Sequence, residues 1–134
     1  ADVMVPFDSV DKIYTSMKTG QILDAVKQTK HSRLPVIDRR GNVKGILQIR
    51  KFIKAYLKSG NNVVLSSVTD YPYFAKDDIP IDDLLADLSN HKRNLAVIKN
   101  SDGDIIGIVT VEDILEELVG EIYDEDDIGG DSDE

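Results

Sequence analysis

The chain has 134 residues, of which 41% are hydrophobic, so it can bury one core or two closely packed halves. It contains no cysteine, which excludes a disulfide framework, a thiolate nucleophile and a cysteine-ligated zinc site. The net charge of −9 arises mainly after residue 120, where eight acids and no base occur. Residues 1–120 carry 16 bases and 17 acids, so we expect no nucleic-acid-binding face.

The first half of the chain predicts a helix, a hairpin and a second helix. An extended stretch comes first, because Pro6 interrupts regular structure. Helical spacing then appears at Ile22, Ala25, Val26 and Thr29. Two apolar strands, 34–37 and 43–47, flank a polar turn with Gly41 and predict a β-hairpin. A second amphipathic helix is predicted from Ile49, Phe52, Ile53, Tyr56 and Leu57. Gly60 is expected to end that helix.

The second half repeats this order. After an extended stretch with Pro72, helical spacing appears at Ile81, Leu84, Leu85 and Leu88. Strands 95–98 and 105–109 flank Gly103 and predict a second hairpin. The last helix is predicted from Val111, Ile114, Leu115, Leu118 and Val119. Gly120 is expected to end it.

Aligning the two halves pairs Val36 with Val97 and Gly45 with Gly107, at offsets of 61 and 62 residues. The alignment predicts one extra residue in the second turn. Such self-similarity indicates a duplicated helix-strand-strand-helix unit whose copies pack about a pseudo-two-fold axis. The predicted fold class is α+β, with small sheets flanked by helices. The predicted segments are 1–62, 63–123 and an acidic disordered tail or linker at 124–134.

The junction at Thr110 and Asp113 allows two interpretations. As a helix cap, the Thr110 hydroxyl would accept the amide three residues on, while Asp113 interacts with the helix dipole. As a ligand site, the helix start would attract phosphate, and the carboxylate would accept ribose hydroxyls. The first copy has Gln48 and Lys51 at the matching positions. Because a lysine has no acceptor, we expect one nucleotide site per chain.

Four stretches together carry a family resemblance: "DVMVP", "SRLPVID", "TDYP" and "GIVTVEDILEELVGEI". The chain resembles tandem cystathionine-β-synthase (CBS) domain pairs, or Bateman modules. More closely, residues 1–126 resemble the cytoplasmic module of the CorC/HlyC group, which is hemolysin-like and related to magnesium and cobalt efflux. The resemblance implies a regulatory module on the cytoplasmic side of an inner or plasma membrane protein. Its partner would be a transmembrane transporter domain of the same or another chain.

The resemblance also implies an adenine-nucleotide site, for ATP, ADP or AMP with or without Mg²⁺. Thr110 and Asp113 would hold phosphate or ribose, next to Ile108. The walls of the pocket would come from Ser32, Arg33, Pro35, Met4, Val5 and Val10. Phosphates would meet Arg33 or the stretch "HKRN", with Arg93 and Asn94. A second interpretation stays open, in which Met4 and Val5 are core residues and both arginines are ordinary surface residues.

Other polar and aromatic residues are assigned no chemistry. His91 is interpreted as a surface residue at a helix end. Tyr71, Tyr73 and Phe74 are interpreted as packing residues, with base stacking as the alternative. No catalytic residue or metal ligand is predicted, because the sequence has no glycine-rich phosphate loop and no evident Ser, His and Asp constellation. No apolar run approaches the roughly 20 residues that span a bilayer, so direct membrane insertion of this segment is not expected.

CBS pairs commonly associate through their helices, so the resemblance implies a homodimer in which each exposed helix meets its symmetry mate. The leading hypothesis is a nucleotide sensor that acts on a transporter. The alternative is a structural dimerisation module with a vestigial nucleotide pocket.

Overall fold

A computed structural model describes residues 3–129, with the backbone alone from residue 123 onward. In chain order the elements are β1 (Val5–Pro6), β2 (Ile13–Tyr14), α1 (Thr19–Gln28), β3 (Arg33–Ile37), β4 (Val43–Gln48), α2 (Ile49–Ser59), β5 (Thr69–Asp70), β6 (Phe74–Lys76), α3 (Ile81–Asn90), β7 (Leu95–Lys99), β8 (Ile105–Thr110) and α4 (Val111–Gly129). Short 3-10 turns occur at Phe7–Ser9, Gly60–Asn62 and Leu65–Val68. The predicted α+β class and both predicted hairpins are confirmed.

The chain divides into two compact units that differ from the predicted segments 1–62 and 63–123. The middle unit is Ser9–Pro72, and the terminal unit joins the residues before Ser9 to those from Tyr73 onward. This division arises because the leading strand of each copy pairs with the hairpin of the other copy. β1 pairs with β8, and β5 pairs with β4, both antiparallel. Each unit is thus completed by a strand from the other copy.

The middle unit contains a four-stranded sheet in the order β2-β3-β4-β5. β2 and β3 are parallel, and the remaining pairs are antiparallel. Helices α1 and α2 bury one apolar stripe each, because their apolar residues recur with helical spacing. The buried cluster consists of Ile13, Ile22, Val26, Leu34, Val36, Leu47, Phe52 and Val68.

The terminal unit has the same plan, with the strand order β1-β8-β7-β6. β6 and β7 are parallel, and the other pairs are antiparallel. Its buried cluster consists of Val3, Leu84, Leu88, Ala96, Ile98, Val109 and Ile114. Leu88 and Ile114 are fully buried, so α3 and α4 both contribute to this core.

The hairpins of the two copies correspond at a constant offset of 62 residues. Arg33 pairs with Gln48 as Leu95 pairs with Thr110. The turns also match, because the side chains of Asp38 and Asn100 each accept backbone amides two and four residues later. The prediction of an extra residue in the second turn is therefore wrong. The first strand of each hairpin, β3 or β7, buries four apolar residues in succession, and such a run has no alternation that would fix its register.

The last helix is longer than predicted. α2 ends at Ser59 and is capped by Gly60, which has a φ of 60° and donates its amide to the Tyr56 carbonyl. The residue 62 positions later is Ile122, so α4 has no glycine at the equivalent place. α4 continues through Gly129, and the predicted end at Gly120 is wrong. The segment predicted to be a disordered tail begins inside this helix, and residues 130–134 lie outside the described part of the chain.

Candidate functional site

The strand-to-helix junction of the terminal unit is capped by Thr110. Thr110 is the last residue of β8, and its Oγ1 accepts a hydrogen bond from the Asp113 amide at 3.1 Å. The Val111 amide donates to the Asn94 carbonyl at 2.9 Å. The predicted cap is therefore confirmed, and two backbone amides at the start of α4 have partners.

The Asp113 side chain takes no part in this cap beyond its charge. It is half-buried, and within the described residues its carboxylate makes neither a hydrogen bond nor an ion pair. The reciprocal bond of a capping box, from the acid back to the cap residue, is thus not formed. The carboxylate can interact with the helix dipole and still accept hydrogen bonds from a ligand.

Further acids surround Asp113. A cavity of about 260 Å³ is lined by Val3, Asp113, Glu116 and Glu117. Three carboxylates on one cavity repel a phosphate unless a cation or an arginine compensates for them. Among the described residues, no group of three or more acids or histidines is arranged to hold a metal ion.

Strand β1 places Val5 beside β8, and Met4, the residue before β1, lies against Gly107 of the same strand. Val5 pairs with Ile108, and Pro6 pairs with Gly107. A Cβ atom at Gly107 would lie 2.5 Å from both the Val5 carbonyl oxygen and the Met4 side chain, so this close approach requires glycine. Met4 also packs against the buried cluster of the terminal unit. The interpretation of Met4 as a core residue therefore holds within this unit.

The stretch before β7 places Asn94 at the junction. Asn94 is exposed, and its carbonyl accepts the first amide of α4. Arg93 is half-buried, and its amide donates to the Leu88 carbonyl at 2.8 Å. His91 is exposed at the end of α3, as predicted, with Nδ1 2.8 Å from the Asp87 carbonyl oxygen. The terminal unit thus contains seven of the predicted site residues, of which Asn94, Thr110 and Asp113 make hydrogen bonds at the start of α4. The other four are Met4, Val5, Arg93 and Ile108.

The remaining wall residues lie in the middle unit. Pro35 is fully buried in β3, and Val10 is 8% exposed, but neither belongs to the buried cluster of this unit. Ser32 is exposed, and its carbonyl accepts the Ile49 amide at the start of α2. Arg33 is half-buried at the first position of β3. That these residues line the pocket of Asp113 stays a prediction.

The three aromatic residues in the extended stretch before α3, Tyr71, Tyr73 and Phe74, have different environments. Tyr73 packs against the buried cluster and lies 5.0 Å from the His91 ring, between ring centroids. Burial, with the Asp87 carboxylate beside the phenol, raises the pKa of Tyr73. Tyr71 is 81% exposed, so it does not belong to the buried core. Phe74 is 41% exposed, and the Lys99 ammonium lies 4.2 Å from its ring centroid.

The equivalent junction of the first copy is built differently. Gln48 Nε2 donates to Asp70 Oδ2, and Lys51 Nζ lies 3.8 Å from Asp70 Oδ1. Asp70 is not among the site residues predicted from the sequence. An acid in the leading segment, opposite a Gln and Lys pair, is the signal that would have identified it.

The comparisons with known proteins agree with this architecture. The CBS domain family model matches residues 1–58 and 65–120. The magnesium and cobalt efflux protein CorC of Pasteurella multocida is 31% identical over 127 residues. That match covers 94% of this chain and 42% of CorC, so the chain spans less than half of this relative.

Two solved structures have closely similar folds. The CBS domain of the bacterial CNNM/CorC family Mg²⁺ transporter in complex with ATP has a TM-score of 0.81 at 25% identity, over 89% of this chain and 85% of that one. A CBS-domain pair with bound AMP from Klebsiella pneumoniae has a TM-score of 0.79 at 25% identity, over 88% and 95%. In residues 3–129, no helix has the length and apolar character that crossing a bilayer requires. The predicted resemblance is confirmed, and the chain belongs to the CBS domain family, as a tandem pair similar to that of CorC.

Proposed function

We propose that this chain is a regulatory, non-catalytic module that binds one adenine nucleotide, foremost ATP with Mg²⁺. The main support for this proposal is the Asp113 carboxylate, which is half-buried at a helix start and has no partner within the described residues. A carboxylate in this position can accept both hydroxyls of a ribose. The helix cap would be complete without it, because Thr110 alone binds the amide. CBS pairs of similar fold that carry ATP or AMP support the same assignment.

The phosphates would bind at the start of α4. Thr110 Oγ1 already accepts the Asp113 amide, and its hydroxyl proton can still be donated to a phosphate oxygen. The positive end of the helix dipole adds attraction for an anion. The carboxylates of Glu116 and Glu117 repel an anion at this place, so the ligand needs a compensating cation. Mg²⁺ bound to the triphosphate would supply that charge, with Arg93 or Arg33 as further candidates.

Signal transfer requires that the nucleotide bind one form of the module more tightly than another. β1 offers a physical connection, because it pairs with β8 next to the junction and then continues into the middle unit at Ser9. A displacement at the end of β8 would therefore act on β1 and on the chain that leads from β1 to Ser9. The recipient would be a transmembrane transporter domain of the same or a partner chain, with this module on the cytoplasmic side.

We also propose a homodimer formed through α2 and α4. Each helix exposes apolar side chains, namely Ile53 at 40%, Leu57 at 79%, Leu115 at 47% and Val119 at 47%. Exposed apolar stripes of this kind favour association. The two helices differ in charge. The bases of α2 are Arg50, Lys51, Lys54 and Lys58, with no acid, and the acids of α4 up to residue 121 are Glu112, Asp113, Glu116, Glu117 and Glu121, with no base.

Calorimetric titration with ATP, ADP and AMP, each with and without Mg²⁺, tests the proposed function. We expect one site per chain and tighter ATP binding when Mg²⁺ is present. Failure of all three nucleotides to bind would favour the structural dimerisation module with a vestigial pocket. Release of phosphate from ATP during prolonged incubation would contradict the non-catalytic role.

A further inference from the structure

The start of α2 is occupied by a carboxylate from the chain itself. Asp70 accepts a hydrogen bond from the Gln48 side-chain amide, and its other oxygen lies 3.8 Å from the Lys51 ammonium. The two side chains of this pair are 52% exposed at Lys51 and 40% exposed at Asp70, so the contact lies where a solute can reach it. Two groups that could bind an anion here, the Gln48 side-chain amide and the Lys51 ammonium, therefore already have a carboxylate as their partner.

The second copy has no such carboxylate. Asp70 pairs with Ile46 across β5 and β4, and Val5 pairs with Ile108 across β1 and β8. Ile46 and Ile108 are separated by the 62-residue repeat, so Asp70 and Val5 occupy the same place in their respective sheets. A valine cannot accept a hydrogen bond or carry charge. The acid therefore has a different source at the two junctions. In the second copy it is Asp113 on the helix itself, and in the first copy it is Asp70 on β5, the strand that comes from the other copy.

Asp70 also supplies a negative charge at the start of α2, where the helix has no acid of its own. The first turn of α2 contains no acid, and the Gln48 side chain does not cap the helix. A carboxylate near a helix N-terminus interacts favourably with the dipole. Because β5 is held in the sheet by its pairing with β4, Asp70 competes as a tethered group with any anion from solution.

We propose that Asp70 is a built-in anionic occupant of the α2 start, and that it excludes phosphate-bearing ligands from the first copy. Asp70 is then a specificity-determining residue that leaves the α4 junction as the anion-accepting one. Exclusion at α2 does not require that a nucleotide bind at α4. The two proposals can therefore fail independently.

The test is a titration with inorganic pyrophosphate, followed through the backbone amide signals of residues 49–51 in nuclear magnetic resonance spectra. In the unmodified chain these signals should show no saturable shift. Asp70→Ala frees Gln48 and Lys51, so saturable binding with at least tenfold higher affinity should appear. Asp70→Asn removes the charge and keeps the size, and it should show the same gain if the alanine variant folds poorly. The double variant Asp70→Ala/Lys51→Ala should lose most of the gain.

Asp24→Ala is the matched control, because it removes the charge of an exposed acid from the same unit, on α1. It should not create pyrophosphate binding at residues 49–51. An equal gain in this control would mean that the net charge of the chain, and not Asp70, determines whether pyrophosphate binds at residues 49–51. That result would overturn the proposal. Saturable binding at residues 49–51 in the unmodified chain, or no gain in either Asp70 variant, would overturn it too. ATP-induced shifts at residues 111–113 report separately on the proposed nucleotide site.

Discussion

Replacing Asp113 by asparagine separates the two uses of its side chain. The hydrogen bond of the cap joins Thr110 Oγ1 to the backbone amide of residue 113, so it survives any change of that side chain. Within the described residues the carboxylate has no hydrogen bond or ion pair to lose. The free energy of unfolding should therefore fall only by the dipole contribution, about 0.3–1 kcal/mol. Urea unfolding measures this change.

Nucleotide affinity should respond much more strongly to the same substitution. A hydrogen bond to an ionised group contributes about 1.5–3 kcal/mol, and asparagine offers only one neutral acceptor to the two ribose hydroxyls. If the substitution costs about that much binding free energy, the Kd for ATP with Mg²⁺ rises by one to two orders of magnitude, since about 1.4 kcal/mol corresponds to a factor of ten. Isothermal titration calorimetry resolves a change of this size.

Lys51→Ala is the matched control, because Lys51 precedes Asp113 by the 62-residue repeat. It should leave the Kd for ATP unchanged. Equal affinities in the unmodified chain and in both variants would refute the ribose role of Asp113. A loss of affinity confined to Lys51→Ala would place the ligand at α2. A loss of stability well above about 1 kcal/mol in Asp113→Asn would show that the carboxylate supports the fold itself.

Three further predictions concern the strands, a turn and the dimer. Gly107→Ala should destabilise the chain more than Gly45→Ala in urea unfolding, by about 1–3 kcal/mol, because the new Cβ would lie 2.5 Å from a carbonyl oxygen of β1, compared with 3.3 Å from one of β5. Asp38→Asn should be tolerated at neutral pH, because Asn100 forms the same turn in the second copy. Backbone amides, with that of Asn42 first, lower the pKa of Asp38 below its ordinary value of 3.8. The Asp38 carboxylate therefore stabilises the folded chain above pH 3.8, and this contribution is lost as the pH falls through its lowered folded-state pKa. Urea unfolding measured across acidic pH should show the contribution of Asp38 in the unmodified chain and not in Asp38→Asn. If each helix meets its symmetry mate, added salt should strengthen the dimer in sedimentation experiments by screening like charges, whereas weakening by salt would indicate that α2 meets α4.

The helices, the hairpins and the Thr110 cap were predictable because they depend on residues close in sequence. The cap joins positions three residues apart, and the apolar stripes of α1 to α4 repeat every three or four residues. The register between the copies was not predictable in the same way. β3 and β7 contain similar runs of buried apolar residues, and the similarity of "LPVI" to "LAVI" favoured an alignment one residue away from the true one.

The exchange of β1 and β5 between the copies explains why one junction was predicted well and the other was not. Each of these strands has two residues, which is too short for any periodicity to appear in the sequence. Asp70 contacts Gln48 across 22 positions of the chain, and the contact exists only because β5 pairs with β4. The Gln48 and Lys51 pair alone indicates a junction that lacks its acid. With the exchanged strand in place, the same pair has an acid supplied from the other copy, and the chemical difference between the junctions depends on Asp70 and Val5 as much as on Lys51 and Asp113.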